Sequence, residues 1–198
     1  SGVSHPKKDL CVVGWMPFYH DMGLIGNLLQ SLYCQGTCVL TSPTNVVRSP
    51  LHWLSLISTH KATTSGGPNF IYDLCVEQIT EKQKQTLDLS QWKVAFTGAE
   101  PIKPRTLDAF YEAFKDCGFK KSSFYPCYGM AEATLMISGT TLNAEPKTKN
   151  NHVSCGKAIL NTKIKIVDPV HLNSLPANKT GEIWVQGPQI AQGYWNKE

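Results

Sequence analysis

Short apolar runs rich in β-branched and aromatic residues alternate with helical periodicities from residue 10 onward, and this alternation limits the fold more than any other feature of the chain. Residues 10–16 (LCVVGWM), 37–40 (TCVL), 61–64, 92–96 (WKVAF) and 123–127 read as buried strands. Between the first two, residues 22–33 space Leu24, Ile25, Leu28, Leu29 and Leu32 three and four apart, which predicts a helix. Ser49 as N-cap and Pro50 at the first helical position open a second helix, carrying Leu51, Leu54 and Ile57 on one face. A third opens at Pro68 and runs through Ile71, Leu74, Cys75 and Ile79 into the polar tail EKQKQ; a fourth covers 102–117, with Leu107, Phe110, Tyr111 and Phe114 periodic. Strand and helix recurring at roughly twenty to thirty residues imply an α/β fold, a mostly parallel sheet flanked by helices. Such sheets bind ligands at the carboxyl ends of their strands, so the loops 17–21, 65–69, 97–101 and 128–132 are expected to converge on one site.

The texture changes after Ser138. Residues 139–151 are polar and lack periodicity, whereas 163–169 (KIKIVDP) and 181–187 (GEIWVQG) alternate strictly across a turn-rich connection. The expected organisation is a central α/β part over 1–138, a linker or shortened insertion over 139–157, and part of a small antiparallel β-subdomain over 158–198.

Composition removes several classes. With 198 residues, 41% hydrophobic and 17% charged, the chain can bury a core and is not of disordered type. No apolar run approaches the ~20 residues of a membrane span, and the N-terminal SGVSHPKKDL does not read as a signal peptide. The net charge of +4 comes from scattered lysines, the longest runs being Lys7-Lys8 and Lys120-Lys121, so no nucleic-acid partner is expected. Seven cysteines, an odd number lying mostly in apolar segments and without a CxxC pair, read as reduced thiols of a cytoplasmic protein rather than as disulfides or a zinc site.

The densest chemistry lies in residues 124–134, FYPCYGMAEAT. An aromatic face at Tyr128, a glycine at 129 that lets backbone approach a ligand, and the Glu132 carboxylate together suit a nucleotide with its metal. The same residues also suit a packed ring, a turn and an exposed first-turn helix acid. His20, after the first strand, is either a ligand-facing imidazole or a loop histidine at a helix start.

Taken together, residues 15–26 (WMPFYHDMGLIG), 63–75 (TTSGGPNFIYDLC), 95–101 (AFTGAEP), FYPCYGMAEAT and 181–196 (GEIWVQGPQIAQGYWN) resemble successive signature motifs of the adenylate-forming superfamily, and within it the fatty-acyl-AMP ligases. The likeness spans essentially the whole chain in motif order. It implies ATP-dependent activation of a fatty acid to acyl-AMP with release of pyrophosphate, followed by transfer to the phosphopantetheine arm of an acyl carrier protein. By the same resemblance Tyr128 stacks on adenine, with Gly98, Ala99, Glu100 and Pro101 lining the purine and Gly129, Met130 and Ala131 beside the nucleotide. Glu132 binds Mg²⁺ on the ATP phosphates, and His20 sits by the reacting carboxylate and α-phosphate. Ser65, Gly66, Gly67, Pro68, Asn69 and Tyr72 are expected in the wall of the acyl pocket, the glycine pair serving equally as a tight turn before a helix. Met22, Leu24 and Ile25 are candidates for the fatty-acid tunnel and equally good core residues.

Three departures qualify the likeness. Ala131 stands where many superfamily members have a threonine that contacts the α-phosphate. The phosphate loop, the ribose-binding aspartate and the C-terminal catalytic lysine of the family find no counterpart, so the resemblance implies part of an N-terminal domain, inert alone. Residues 143–155 are also short for the insertion usual in fatty-acyl-AMP ligases. An acyl-CoA ligase and a catalytically silent adenylation-like module stay as alternatives.

Overall fold

The computed structural model describes residues 10–197. Lys7-Lys8 and the N-terminal stretch considered for a leader lie outside the described residues. In chain order, β1 (Cys11–Gly14) leads to a π-helix (Met22–Leu29) that continues as α1 (Gln30–Cys34), then β2 (Thr37–Leu40), α2 (Pro43–Arg48) and α3 (Pro50–Thr59). There follow β3 (Thr64–Gly67), α4 (Asn69–Gln78), α5 (Glu81–Lys84), β4 (Val94–Thr97), α6 (Pro104–Phe114) and β5 (Phe124–Gly129). The remainder is β6 (Met136–Gly139), β7 (Thr148–Lys149), β8 (His152–Val153), β9 (Lys157–Ala158), β10 (Lys163–Val167) and β11 (Glu182–Gln186).

Seven strands form one sheet in the order β2-β1-β3-β4-β5-β6-β9. The first five are mutually parallel, as the alternation predicts, and β6 and β9 extend the edge antiparallel. The strand order reverses at β1, with β2 added on one side and β3, β4 and β5 on the other, which creates a topological switch point between β1 and β3, beside which the chain leaves β1 for the loop that carries His20. Beyond the sheet, β7 and β8 pair as a hairpin inside the stretch read as a linker, and β10 pairs with β11 antiparallel.

The two faces of the sheet are used differently. Val13, Ala95 and Phe124 point to one face, where α3, α4 and α6 pack and Trp53, Tyr72, Trp92, Phe110 and Phe114 are buried. Their rings meet mostly edge to face, Trp53 with Trp92 at 5.3 Å and Tyr72 with Phe110 at 5.0 Å, an arrangement that adds to simple area burial. Because side chains alternate along a strand, Val94, Phe96, Tyr125 and Cys127 emerge on the other face, and that face carries the cavity described below.

Several local expectations are revised. The third strand is 64–67 rather than 61–64, so Gly66 and Gly67 belong to β3 and not to a turn after it. A Cβ on Gly66 would stand 2.1 Å from the Phe96 carbonyl oxygen, and one on Gly67 would stand 2.4 Å from the Trp15 ring. The glycine pair therefore serves the close packing of β3. Helix 69–78 ends before the polar tail. Thr80 and Gln83 form a capping box that starts α5 afresh. Helix α2, unpredicted, begins at Pro43 with the Ser42 side chain accepting from Asn45 N. The leucine stripe of 22–33 is not buried: Leu24, Leu29, Leu32 and Tyr33 are exposed, and the inward positions are Met22, Gly23, Asn27, Ser31 and Cys34. The inward positions Gly23, Asn27, Ser31 and Cys34 keep a spacing of four, four and three but are small or polar, whereas Ile25 and Leu29, off that face, line the cavity. Among the described residues no helix is long and apolar enough to cross a membrane.

Candidate active site

A cavity of about 770 Å³ opens over the carboxyl half of the sheet. Such a volume lies in the range that holds a cofactor-sized or drug-sized ligand. Its floor is the outward face of the strands, Thr64 from β3, Val94 and Phe96 from β4, Tyr125 and Cys127 from β5. Its roof is the π-helix, which contributes Met22, Ile25, Gly26 and Leu29. Apolar side chains thus line one end. The other end is made by Tyr19, His20 and Asp21 after β1, Gly98 and Ala99 after β4, and Tyr128 to Ala131 at and just past the end of β5.

Of the four loops expected to converge, three meet here. The fourth does not supply wall residues, and the reason is visible in each side chain. Ser65 is fully buried and donates its hydroxyl to Val13 O at 2.6 Å. Asn69 donates from Nδ2 to Thr106 Oγ1 and accepts at Oδ1 from Lys103 N, tying α4 to the start of α6. Tyr72, also fully buried, donates its phenol to Phe96 O at 2.8 Å. Ser65, Gly66, Gly67, Asn69 and Tyr72 thus support the wall from behind while Thr64 and Phe96 form its surface. Glu100 and Pro101 likewise stand off the cavity. The Glu100 carboxylate accepts from Phe70 N at 2.7 Å, capping the first turn of α4, where a negative charge is favoured. Leu24 is exposed and not a lining residue, whereas Met22 and Ile25 are.

His20 is held from one side. Its Nδ1 lies 2.7 Å from Asp21 Oδ1 and 3.1 Å from Met22 N, so the ring meets the cavity through Nε2, which has no partner among the described residues. Three lining residues have positive φ, Ala99 at 65°, Thr134 at 67° and Leu160 at 49°. For side-chain-bearing residues, and above all for a β-branched one, that conformation is costly and concentrates at functional sites. Gly129 permits the tight approach of β5 to the following loop, since a Cβ there would fall 1.7 Å from Leu135 O.

Glu132 lies in a 3₁₀ turn (Ala131–Ala133) between two cavity-lining alanines, with its carboxylate exposed. The Tyr194 hydroxyl donates to its Oε1, which holds the carboxyl below its ordinary pKa and the phenol above its own. No group of three or more His, Cys, Asp and Glu side chains able to hold a metal exists among the described residues. A lone carboxylate beside a nucleotide-sized cavity fits Mg²⁺, which keeps waters and takes most of its other ligands from phosphate oxygens.

The sequence reading missed the strand-borne floor, Val94, Phe96, Tyr125 and Cys127, although the period of two in WKVAF and FYPCYG places these residues on one face. Burial, and secondarily the nearby Cys155, push the Cys127 thiol up to about 12 from 9.0. Thiolate is the nucleophile, so at pH 8 the Cys127 thiolate fraction is about a thousandfold lower than that of an ordinary thiol. Alkylation mapped by mass spectrometry should accordingly leave Cys127 unmodified under conditions that label an unfolded control fully. Labelling at the unfolded rate would contradict its placement.

The family profile of AMP-binding enzymes matches residues 2–195. The chain belongs to the AMP-binding enzyme family. Within that family it is 41% identical over 202 residues to the medium-chain-fatty-acid–[acyl-carrier-protein] ligase of Teredinibacter turnerae, the match covering 91% of this chain and 32% of that protein. It is 38% identical to the ligase of the same description from Moorena producens, over 96% of this chain and 36% of that one. The fold superposes on the fatty acid AMP ligase from Legionella pneumophila with a TM-score of 0.91 at 42% identity, over 96% of this chain and 37% of that one. The chain of this AMP-binding enzyme thus spans about a third of the length of the curated relatives it matches.

Proposed function

We propose that the full-length protein activates a fatty acid to its acyl-adenylate with ATP and Mg²⁺, and passes the acyl group to the phosphopantetheine arm of an acyl carrier protein. The observation that carries this reading is a single cavity with an apolar end, between the π-helix and the β4-β5 face, and a loop-built polar end at His20, Gly98, Ala99 and Tyr128 to Ala131. An amphiphilic acyl-AMP needs both ends in one cavity. The likeness to a fatty-acyl-adenylate ligase from L. pneumophila solved in complex with acyl adenylate and pyrophosphate supports the same ligand, at a TM-score of 0.90 and 42% identity.

In this reading a carboxylate oxygen of the fatty acid attacks the α-phosphorus in line, the bond to the bridging oxygen of the β-phosphate breaks, and pyrophosphate leaves. The work of the residues is positioning and charge stabilisation rather than covalent catalysis. Tyr128 offers its ring to the adenine, and Gly98 and Ala99 offer backbone beside it. His20, pinned at Nδ1, presents Nε2 to the charge that develops between carboxylate and α-phosphate. Glu132 would hold Mg²⁺, whose charge would offset that of the phosphates. The described part corresponds to about a third of the length of its relatives, and alone it is expected to be inactive.

A second reading, transfer to CoA, is favoured by the 34% identity over 217 residues with a putative fatty-acid–CoA ligase of Mycobacterium tuberculosis. The two are separated by incubating the full-length protein with Mg-ATP, fatty acids of mixed length and CoA, and following products by mass spectrometry. Acyl-AMP without acyl-CoA, with acylation of added carrier protein, is expected. Acyl-CoA formation transfers the assignment to the second reading, and the absence of both products makes the protein a silent adenylation-like module.

A further inference from the structure

The segment after β11 carries the QGYW sequence and folds back onto the Glu132 turn, although more than fifty residues separate the two. Three hydrogen bonds join them. Ala191 N donates to Glu132 O at 2.7 Å, Thr134 Oγ1 donates to Gln189 O at 3.0 Å, and the Tyr194 hydroxyl donates to Glu132 Oε1. Gln189 in turn donates from Nε2 to Thr162 Oγ1, and its side chain lines the cavity. The tail thus holds the turn from Glu132 onward: the Glu132 carbonyl accepts from Ala191 N, and the side-chain hydroxyl of Thr134 donates to Gln189 O.

We infer that Tyr194 is a positioning residue for the cation site, its phenol orienting the Glu132 carboxylate so that Oε2 is presented to Mg²⁺. This inference rests on the assignment of Glu132 as the metal ligand. The geometry separates orienting from occluding. A carboxylate has two oxygens, and Tyr194 occupies Oε1, while no other side chain among the described residues is bonded to the carboxylate. A ligating carboxylate is ordinarily hydrogen-bonded through its other oxygen, and that outer partner fixes the rotamer in which the metal finds it. An exposed, unanchored glutamate would spread over its rotamers and meet the cation in only a fraction of them. Among the described residues Tyr194 is the one side chain that holds the Glu132 carboxylate, whose other contact is the backbone amide of Glu132 itself.

The test uses the full-length protein with a non-hydrolysable ATP analogue, titrated with Mn²⁺ and followed by electron paramagnetic resonance. Tyr194→Phe keeps the ring and removes only the hydroxyl. It is expected to weaken Mn²⁺ binding about tenfold, the lower end of what loss of such an outer partner costs. In steady state the same variant should raise the Mg²⁺ concentration required for half-maximal rate by a similar factor, with the rate at saturating Mg²⁺ and the melting temperature unchanged. A merely structural tyrosine would instead lower the melting temperature and leave Mn²⁺ affinity alone. Unchanged or tighter Mn²⁺ binding in Tyr194→Phe overturns the inference, tighter binding identifying the phenol as a competitor of the cation. Glu132→Gln measured in parallel keeps the two levels apart. If it too binds Mn²⁺ normally, the metal assignment fails; if it loses binding while Tyr194→Phe does not, only the role of Tyr194 fails.

Discussion

Glu132→Ala in the full-length protein is expected to slow pyrophosphate release by about 10²–10³-fold, the loss typical when one preorganised group that stabilises transition-state charge is removed. The expectation follows from how little else at this end of the cavity is anionic. Glu100 is engaged at the start of α4 and Asp21 is engaged by His20 and Met22 N, so neither replaces the lost carboxylate. ATP should still bind, because in the proposed reading Tyr128, Gly98 and Ala99 would meet the nucleoside and not the cation. Affinity for the fatty acid should also persist, since in that reading the acyl chain would lie between the π-helix and the β4-β5 face. The signature is therefore a fall in rate with little change in the KM for fatty acid, partly restored by raising Mg²⁺. A variant that releases pyrophosphate at the normal rate at low Mg²⁺ would remove Glu132 from the mechanism.

What was legible in the sequence follows from where periodicity carries information. The parallel sheet was readable because β1, β2, β4 and β5 carry short apolar stretches bounded by loop residues, and because α3, α4 and α6 between them carry the right spacing, while β3, with the sequence TSGG, was placed three residues early. The converging loops followed from topology alone for His20, Gly98 and Tyr128. Less legible was Ser65 to Tyr72, where the same Gly-Gly-Pro-Asn sequence serves a ligand wall or a sheet-packing strand end equally well. Only the three-dimensional neighbours, Trp15 on Gly67 and Phe96 on Gly66, decide between them. The antiparallel strands β6 and β9 were invisible because two- and four-residue strands at an edge lack a period to read. The tie between Tyr194 and Glu132 was out of reach for the same reason in stronger form: a single side-chain contact across 62 positions leaves no local trace.

The largest expected effect on stability lies at Trp53, and it connects the core to the site. Trp53 is fully buried, meets Trp15, Tyr72 and Trp92 edge to face, and donates from Nε1 to Ser65 Oγ at 2.8 Å. Ser65 passes the connection to Val13 O, so the indole fastens β3 to β1 at the level where β1 gives way to the His20 loop. Trp15 and Trp92 donate to the Gly66 and Ser65 carbonyls, which makes β3 the strand on which three indoles converge. Trp53→Ala removes the largest ring of this set and leaves a cavity that its rigid aromatic neighbours cannot fill, at a cost of about 3–5 kcal/mol. Trp53→Phe keeps a ring and loses chiefly the hydrogen bond, a cost of about 0.5–1.5 kcal/mol beyond the smaller volume change. Urea unfolding of the full-length protein should show the two as separate midpoint shifts at unchanged slope. Because β3 also holds Thr64 in the cavity floor, the alanine variant should lose acyl-AMP formation at temperatures where the phenylalanine variant retains it. Equal midpoints for the two variants would mean that the hydrogen bond to Ser65, and not the packed indole, holds β1 and β3 together.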